Sequence, residues 1–188
     1  KVGIVLYSKM EIVQAYRYCH NITRREAKNF YYAFITLPRE QRQAIYAAYA
    51  FFRICDDIAD QEMDIVEKQR ELQRCRDALT MTYRGHPEGQ IMLALSDAST
   101  RFDIPQEYFQ AVVTGVEMDL TINRYKTFDD LREYCFHVAA VVGLVCVRIF
   151  GCSHPKAIKS AEDLGVAMQI TNIMRDLKED ALRDRVYL

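Results

Sequence analysis

Three carboxylates follow an apolar segment of the chain. Residues 44–52 read AIYAAYAFF, and Asp56, Asp57 and Asp60 come directly after them. In a helix, Asp56 and Asp60 share one face and Asp57 lies about 100° around the axis. Arg53 lies on the same stripe, seven residues before Asp60. Charges at the end of a buried segment are costly unless something pairs with them. Either Arg53 forms a salt bridge with these acids at a solvated helix end, or the acids bind a cation.

A second stretch, residues 169–180, favours the cation. Its sequence is QITNIMRDLKED, and it places Gln169, Asn172, Asp176 and Asp180 at offsets of 0, 3, 7 and 11 residues. These offsets form one continuous stripe along a helix, since eleven residues make almost three turns. Each member carries a side-chain oxygen. The pattern predicts a ladder of oxygen ligands on one helix face.

Two oxygen ladders in one chain indicate a hard divalent cation. Mg²⁺ prefers oxygen ligands and commonly binds through one or two carboxylates together with substrate phosphates. Neither ladder includes a His or Cys, and the chain has no Glu-x-x-His pair for a di-iron bundle. We therefore predict Mg²⁺ carrying a diphosphate, with Arg53 and Arg175 as fork donors to phosphate oxygens. The predicted metal ligands are Asp56, Asp60, Asp176, Asp180 and Asn172.

The composition excludes several other classes of protein. Lys plus Arg (25) and Asp plus Glu (26) nearly cancel, so no basic excess points to a nucleic-acid partner. The six Cys show no C-x-x-C pair, which favours reduced thiols and a cytoplasmic location. The longest uncharged apolar run, residues 138–147, is about half the length that a bilayer requires, so no transmembrane helix is expected.

The elements that must position the two ladders are helices. Only four Pro and seven Gly occur, and each proline stands where a periodic segment begins. No stretch shows sustained strand alternation, so the fold class is all-α and a single domain over residues 1–188 is expected. The predicted helices span residues 10–35, 39–60, 64–84, 88–101, 105–122, 127–150 and 155–181.

Together these segments resemble the squalene/phytoene synthase family, the head-to-head prenyl-diphosphate synthases. The resemblance rests on AKNFYYAFITLP, RICDDIAD, GVEMDL, YCFHVAAVVG and QITNIMRDLKEDALRDRVYL, which together extend over nearly the whole chain. It implies an isoprenoid-synthase helical bundle in which the two ladders face each other across a central cavity. The family often has S-x-S-F where this chain has Ala27-Lys28-Asn29-Phe30, and its sequences continue beyond the position of Leu188. The domain is therefore expected to be incomplete at its C-terminus.

The resemblance also implies roles for individual residues. The implied catalytic residues are Asp56, Asp57, Asp60, Asp176, Asp180 and Tyr134. The implied substrate-binding residues are Arg53, Gln169, Asn172, Arg175, Asn29 and Tyr49. Aromatic rings near the first ladder either stabilise a carbocation or simply pack in the core. The candidates are Phe30, Tyr31, Phe34, Tyr49 and Phe52.

The activity implied by the resemblance is a Mg²⁺-dependent condensation of two prenyl diphosphates, either farnesyl or geranylgeranyl diphosphate. The reaction passes through a cyclopropylcarbinyl diphosphate and releases diphosphate. It would use about two or three Mg²⁺ ions, and NADPH only in a true squalene synthase. The alternatives are a terpene cyclase or a chain-elongating prenyltransferase of the same bundle, and a non-catalytic helical scaffold.

The apolar side of the last helix gives two further expectations. Helix 155–181 carries apolar residues on more than one face, which predicts an exposed apolar surface and self-association. A peripheral membrane contact for product release is also expected from the apolar products that the resemblance implies.

Overall fold

Helices make up most of the computed structural model, which describes residues 7–187 without the side chain of Asn29. The all-α class is confirmed, and the only pairing of strand type within the described residues is an isolated bridge between Arg124 and Val186. The helices are α1 (Lys9–Glu26), α2 (Asn29–Phe34), α3 (Arg39–Asp60), α4 (Ile65–Tyr83), α5 (Gly89–Phe102), α6 (Gln106–Thr121), α7 (Phe128–Cys135), a π-helical turn (Phe136–Ala140), α8 (Val141–Ile149) and α9 (Pro155–Leu182).

Capping side chains fix several helix starts. Ser8 begins α1 in a capping box, in which its hydroxyl accepts from the Glu11 backbone N–H and the Glu11 carboxylate accepts from the Ser8 backbone N–H. Thr127 and Asp130 form the same arrangement at α7. Pro155 occupies the first turn of α9, where its missing N–H costs nothing. These local signals explain why the predicted helix starts agree closely with the observed ones.

The prediction of one helix over residues 10–35 is wrong, because the chain turns between α1 and α2. Lys28 has φ of 44°, a left-handed conformation that ends the first helix without a glycine or proline. The turn lets Tyr31 of α2 pack on His20 of α1 and Tyr46 of α3, with ring centroids 5.8 and 6.2 Å away. Tertiary packing therefore offsets the helical preference of this stretch.

The predicted helix over residues 127–150 is continuous but contains the π-helical turn. Two glycines on neighbouring helices lie directly against this turn. A Cβ on Gly115 of α6 would lie 2.8 Å from Val138, and a Cβ on Gly165 of α9 would overlap the backbone of Ala140. The absence of side chains at 115 and 165 therefore allows α6 and α9 to approach the turn closely.

The core has two parts of unequal size. The larger cluster joins α1, α3, α4, α5 and α6 with the end of α8, and the smaller joins α7, the π-helical turn and α9 with Tyr187. On α9, only Gly165, Val166 and Ile173 are buried. Five large apolar side chains of α9 are exposed: Leu164, Met168, Met174, Leu177 and Leu182. The expected self-association through this surface stays a prediction. None of the helices described for residues 7–187 is both long and apolar enough to cross a membrane.

Candidate functional site

The end of α3 holds the first ladder. Arg53 Nη2 lies 2.5 Å from Asp57 Oδ1, so the salt bridge considered from the sequence is present for Asp57. Asp56 and Asp60 are exposed. Within residues 7–187, the buried Nε of Arg53 has no hydrogen-bond partner. Arg53 thus keeps donor capacity for an anion even while it binds Asp57.

Asp56 occupies an unusual electrostatic position. Crowding by protein atoms is the main reason why its pKa is raised to about 6. The carboxylates of Asp60, Asp119 and Asp57 act in the same direction, and Arg53 opposes them. Solvent nevertheless reaches the residue, so Asp56 lies at the surface and not in the dry core. A carboxylate held among other carboxylates is suited to bind a cation.

Asp119, near the end of α6, connects the two ladders. Its Oδ1 accepts a hydrogen bond from the Tyr134 hydroxyl at 2.9 Å and lies 3.4 Å from Arg185 Nη1. Burial raises the pKa of Asp119, and the charge of Asp180 adds to this effect. The charge of Asp119 also raises the pKa of Asp56, so this carboxylate is linked electrostatically to one acid of each ladder.

Sequence reasoning did not assign a role to Asp119, although the motif GVEMDL was part of the resemblance. The available signal was an acid directly after an apolar helical segment, the same feature that identified Asp56. It was missed because Asp119 stands alone, without a second acid on its helix face.

A group of tyrosines surrounds Asp119. The rings of Tyr125, Tyr134 and Tyr187 pack together with centroids 5.2 to 5.6 Å apart. The segment after α9 reaches this group, because Arg185 Nη2 donates to the backbone oxygen of Asp119 at 2.9 Å. Burial is the main reason why the pKa of Tyr134 is raised, so its hydroxyl keeps its proton and acts as a hydrogen-bond donor.

The second ladder follows one stripe of α9, as the spacing predicted. Gln169, Asn172, Asp176 and Asp180 are all half-buried. The Asn172 amide donates to Gln169 Oε1 at 3.3 Å. Asp176 accepts from Arg175 Nε at 2.7 Å and from Nη2 at 2.5 Å, and these bonds lower its pKa. Asp176 is therefore held by its neighbour in the chain.

An apolar cavity of about 610 Å³ lies beside the second ladder. Gln169 and Asn172 are the polar side chains in its wall, and α9 continues from them to Asp176 and Asp180. The apolar part of the wall comes from α2, the π-helical turn, α8 and α9: Phe30, Phe34, Val138, Ala139, Val142, Gly143, Cys146, Val147, Phe150, Ala161, Leu164, Gly165 and Met168.

The remaining predicted residues divide between the site and the core. Burial raises the pKa of the half-buried Tyr49, and the charge of Arg53 acts in the opposite direction. This effect of Arg53 indicates that Tyr49 lies beside the first ladder. Tyr31 packs on Tyr46, and Phe52 packs on Phe51 and Phe109 in the core. Of the five aromatic candidates, only Phe30 and Phe34 line the cavity. The side chain of Asn29 lies outside the described residues.

The donor chemistry fits a hard cation, although no ready-made cage exists. In the part of the chain that the structure describes, no three His, Cys, Asp or Glu side chains converge as a metal-binding group. Mg²⁺ often keeps several waters and takes phosphate oxygens as ligands, so it does not require such a cage. The raised pKa of Asp56 and its neighbouring carboxylates are the observations that fit a cation here.

Comparisons with known proteins agree with this arrangement. A sequence model of the squalene/phytoene synthase family matches residues 23–188. The chain is 40% identical to a phytoene synthase of Mycobacterium tuberculosis over 178 residues, covering 95% of this chain and 58% of that protein. It is 39% identical to a presqualene diphosphate synthase of Rhodopseudomonas palustris over 161 residues, covering 85% and 57% of the two chains.

Solved structures show the same relationship. A crystal structure of a dehydrosqualene synthase superposes with a TM-score of 0.84 at 34% identity, covering 95% of this chain and 62% of the other. A squalene synthase from Alicyclobacillus acidocaldarius superposes with a TM-score of 0.88 at 26% identity, covering 98% and 68%. The chain thus covers 57% to 68% of the length of these proteins. By sequence and by fold, it belongs to the squalene/phytoene synthase family.

Proposed function

We propose that this chain carries the diphosphate-binding part of a Mg²⁺-dependent prenyltransferase of the squalene/phytoene synthase type. The reaction is the head-to-head condensation of two prenyl diphosphates through a cyclopropylcarbinyl diphosphate, with release of diphosphate. The observation that carries the proposal is the apolar cavity of about 610 Å³ whose polar wall, Gln169 and Asn172, lies on the same stripe as Asp176 and Asp180. An amphipathic ligand with an isoprenoid tail and a charged head matches this distribution.

The charged head would lie near Asp119, which is linked electrostatically to one acid of each ladder. The residues that would hold Mg²⁺ are Asp56, Asp60, Asp176, Asp180 and Asn172. Mg²⁺, when bound, supplies positive charge that neutralises the departing diphosphate. Arg53 would donate from Nε, which is buried and unpaired within residues 7–187, to a phosphate oxygen. Arg175 would serve as a second donor from its exposed position on α9.

The apolar wall would protect the reacting carbon atoms. Water must be excluded while an allylic cation exists, and the side chains of α8 and α9 provide a largely apolar surface. The Cys146 thiol in this wall keeps its proton, because burial raises its pKa to about 11. Phe30 and Phe34 line this cavity, and an aromatic ring whose face meets a cation can stabilise its charge. Tyr134, which donates to Asp119 at 2.9 Å, would orient that carboxylate, and Tyr49 would contact the head group beside Arg53.

The length of the prenyl chain is left to experiment. Relatives named phytoene synthase and presqualene diphosphate synthase are 40% and 39% identical to this chain, a difference too small to choose between them. Both farnesyl and geranylgeranyl diphosphate are therefore proposed substrates. NADPH is proposed only for a reductive second step. The apolar products would leave towards a membrane, so we also propose a peripheral membrane contact.

The direct test is binding of farnesyl and geranylgeranyl thiodiphosphates, which resist ionisation, measured by calorimetry with Mg²⁺ and with EDTA. We expect Mg²⁺-dependent binding of at least one analogue. Incubation with the true diphosphates, with and without NADPH, then identifies the product. A chain that binds neither analogue with Mg²⁺ would be the non-catalytic scaffold considered from the sequence.

A variant of the cavity provides the second arm of the test. Val142 lies in the cavity wall, and Val142→Phe would fill space where the tail is proposed to lie. We expect this variant to weaken binding of the analogues while leaving binding of inorganic diphosphate unchanged. Equal weakening of both ligands would argue against a tail in this cavity.

A further inference from the structure

A second cavity lies at the opposite end of α3 from the carboxylates. Its volume is about 430 Å³, and α1, α2 and α3 form its walls. Its lining residues are Val13, Tyr16, Arg17, His20, Tyr31, Ile35, Arg39, Arg42, Gln43 and Tyr46. It shares no lining residue with the apolar cavity described above.

The charged side chains that line this second cavity are all basic. Arg17, Arg39 and Arg42 contribute three guanidinium groups, and no acidic side chain belongs to the lining. Within residues 7–187, none of the three forms an ion pair with a carboxylate. Arg42 does donate from Nη1 to the backbone oxygen of Ile35 at 2.9 Å, so it also caps the end of α2.

Two acids in a groove that also contains Arg39 are already paired with another arginine. Glu40 and Asp97 line an adjoining groove, and each lies 3.0 Å from a guanidinium nitrogen of Arg101. Asp97 also accepts from the Tyr16 hydroxyl at 2.7 Å. These contacts hold the two carboxylates towards Arg101, and the arginines of the cavity remain uncompensated.

An aromatic floor completes the cavity. His20 Nε2 and the Tyr31 hydroxyl lie 3.0 Å apart, and the ring of Tyr46 lies 5.1 Å from His20. Tyr46 is buried and His20 is half-buried, so these rings are packed against the protein interior. Arg17 and Arg39 at the rim are exposed to solvent. Hydroxyl and imidazole groups add uncharged hydrogen-bonding capacity beside the guanidinium groups.

The cavity is well separated from the predicted diphosphate site. Arg42 precedes Asp56 by fourteen residues on the same helix, which corresponds to about 20 Å along its axis. An anion bound here would therefore not contact the carboxylates, and Mg²⁺ held by them would not help to bind it.

We propose that this cavity is a binding site for a terminal phosphate or diphosphate group. Arginine forks match phosphate oxygens in geometry and charge, and two or more of them around one pocket favour a multiply charged anion. The group could come from free diphosphate or from the phosphomonoester head of a lipid, since Val13 and Ile35 at the rim are exposed and apolar. The site does not depend on the proposed function of the carboxylate ladders.

Calorimetry with inorganic diphosphate in EDTA tests the site without a contribution from Mg²⁺. We expect wild-type protein to bind, and the double variant Arg17→Gln/Arg39→Gln to bind about tenfold more weakly or worse. Both residues are exposed, so the variant should fold; circular dichroism checks this. Arg42 is kept because it caps α2. The control Arg70→Gln/Arg84→Gln removes the same charge from exposed positions outside the cavity and should bind like wild type.

A third variant separates the two candidate sites. Arg53→Gln removes the phosphate donor proposed at the first ladder. In EDTA it should weaken diphosphate binding less than Arg17→Gln/Arg39→Gln does, because the ladder is proposed to need Mg²⁺. Loss of binding in Arg53→Gln but not in Arg17→Gln/Arg39→Gln would overturn the proposal, as would the absence of binding to wild type. The four His provide an independent readout by NMR. Diphosphate should shift the ring proton signals of His20, and a shift of His137 alone would place the anion elsewhere.

Vesicles distinguish the two sources of the phosphate group. A lipid source predicts that phosphatidylcholine vesicles containing phosphatidic acid bind the chain, that diphosphate displaces them, and that Arg17→Gln/Arg39→Gln abolishes the interaction. A free anion predicts diphosphate binding without vesicle binding. Equal binding to phosphatidic acid and phosphatidylserine, unchanged in the double variant and accompanied by no diphosphate binding, would refute the site.

Discussion

The two helices that carry the oxygen ladders are packed very differently. Nine of the 22 residues of α3 are buried, among them the large side chain of Phe51. In α9, only three of 28 residues are buried, and one of them is a glycine. The first ladder thus stands at the end of a helix fixed on several sides by the core. The second lies on a helix attached through a few positions, chiefly to the π-helical turn.

This difference separates what each ladder can contribute. Crowding at the end of α3 raises the pKa of Asp56, whereas Arg175 lowers the pKa of Asp176 on α9. Asp56 is therefore poised to gain from a cation, while Asp176 already has a partner in Arg175, as Asp57 has in Arg53. Because Asp119 is linked electrostatically to one acid of each ladder, a shared ligand would bring together one rigid and one less constrained helix.

The largest expected effect concerns ligand binding at the two ladders. Asp56→Asn and Asp180→Asn should each weaken Mg²⁺-dependent binding of a prenyl thiodiphosphate by at least about tenfold, because each removes a charged oxygen that a hydrated Mg²⁺ would contact. The matched control is Asp163→Asn on α9, since Asp163 is exposed and pairs only with Lys159 in the described structure. Calorimetry measures all three. Unchanged affinity in Asp180→Asn would restrict the cation to the first ladder.

The attachment of α9 can be tested with two glycines. Gly165→Ala should lower the free energy of unfolding by about 1–3 kcal/mol, because the new methyl would overlap the backbone of Ala140. In Gly143→Ala, the new methyl would lie 3.2 Å from the Ala161 backbone oxygen. A gain of roughly 1 kcal/mol in helix propensity should offset the cost of this close contact. Urea denaturation should show the first variant clearly less stable than the second. Similar values would mean that α9 adjusts easily against the turn.

The sequence predicted both ends of α3 correctly because proline, periodicity and the terminal acids all agreed. The turn at Lys28 was not predictable, since no glycine or proline marks it and the packing of Tyr31 on His20 and Tyr46 involves distant residues. The π-helical turn was equally hidden, because it depends on the absence of a side chain at Gly165 on another helix. Local patterns specify elements, and contacts between elements specify where those elements bend.

Hydrogen exchange should detect the difference in packing directly. Backbone amides of residues 175–182, in the exposed second half of α9, should open with a free energy lower by at least about 1.4 kcal/mol, or tenfold in rate, than those of residues 44–51 in α3. The physical reason is that few buried apolar contacts hold this part of α9. Mg²⁺ with a prenyl thiodiphosphate should slow exchange in α9 more than in α3. Equal protection of both helices without ligand would show that the exposed side of α9 does not weaken it.

The smallest expected effect is a dependence of stability on pH with opposite sign at the two ladders. The pKa of Asp56 is about 6 in the fold, against about 3.9 in an unfolded chain. The folded state therefore binds more protons between these values, and stability falls as the pH rises from about 4 to about 6. Solvent screening keeps this loss below about 1 kcal/mol.

Asp176 has a lowered pKa, so its contribution to folding stability is present above the pKa of an unfolded aspartate and is lost as the pH falls below it. The stability of Asp56→Asn should be compared with wild type in urea between about pH 4 and pH 6, and that of Asp176→Asn below about pH 4. The two differences should change in opposite directions as the pH rises. Parallel changes would show that the two carboxylates share one environment.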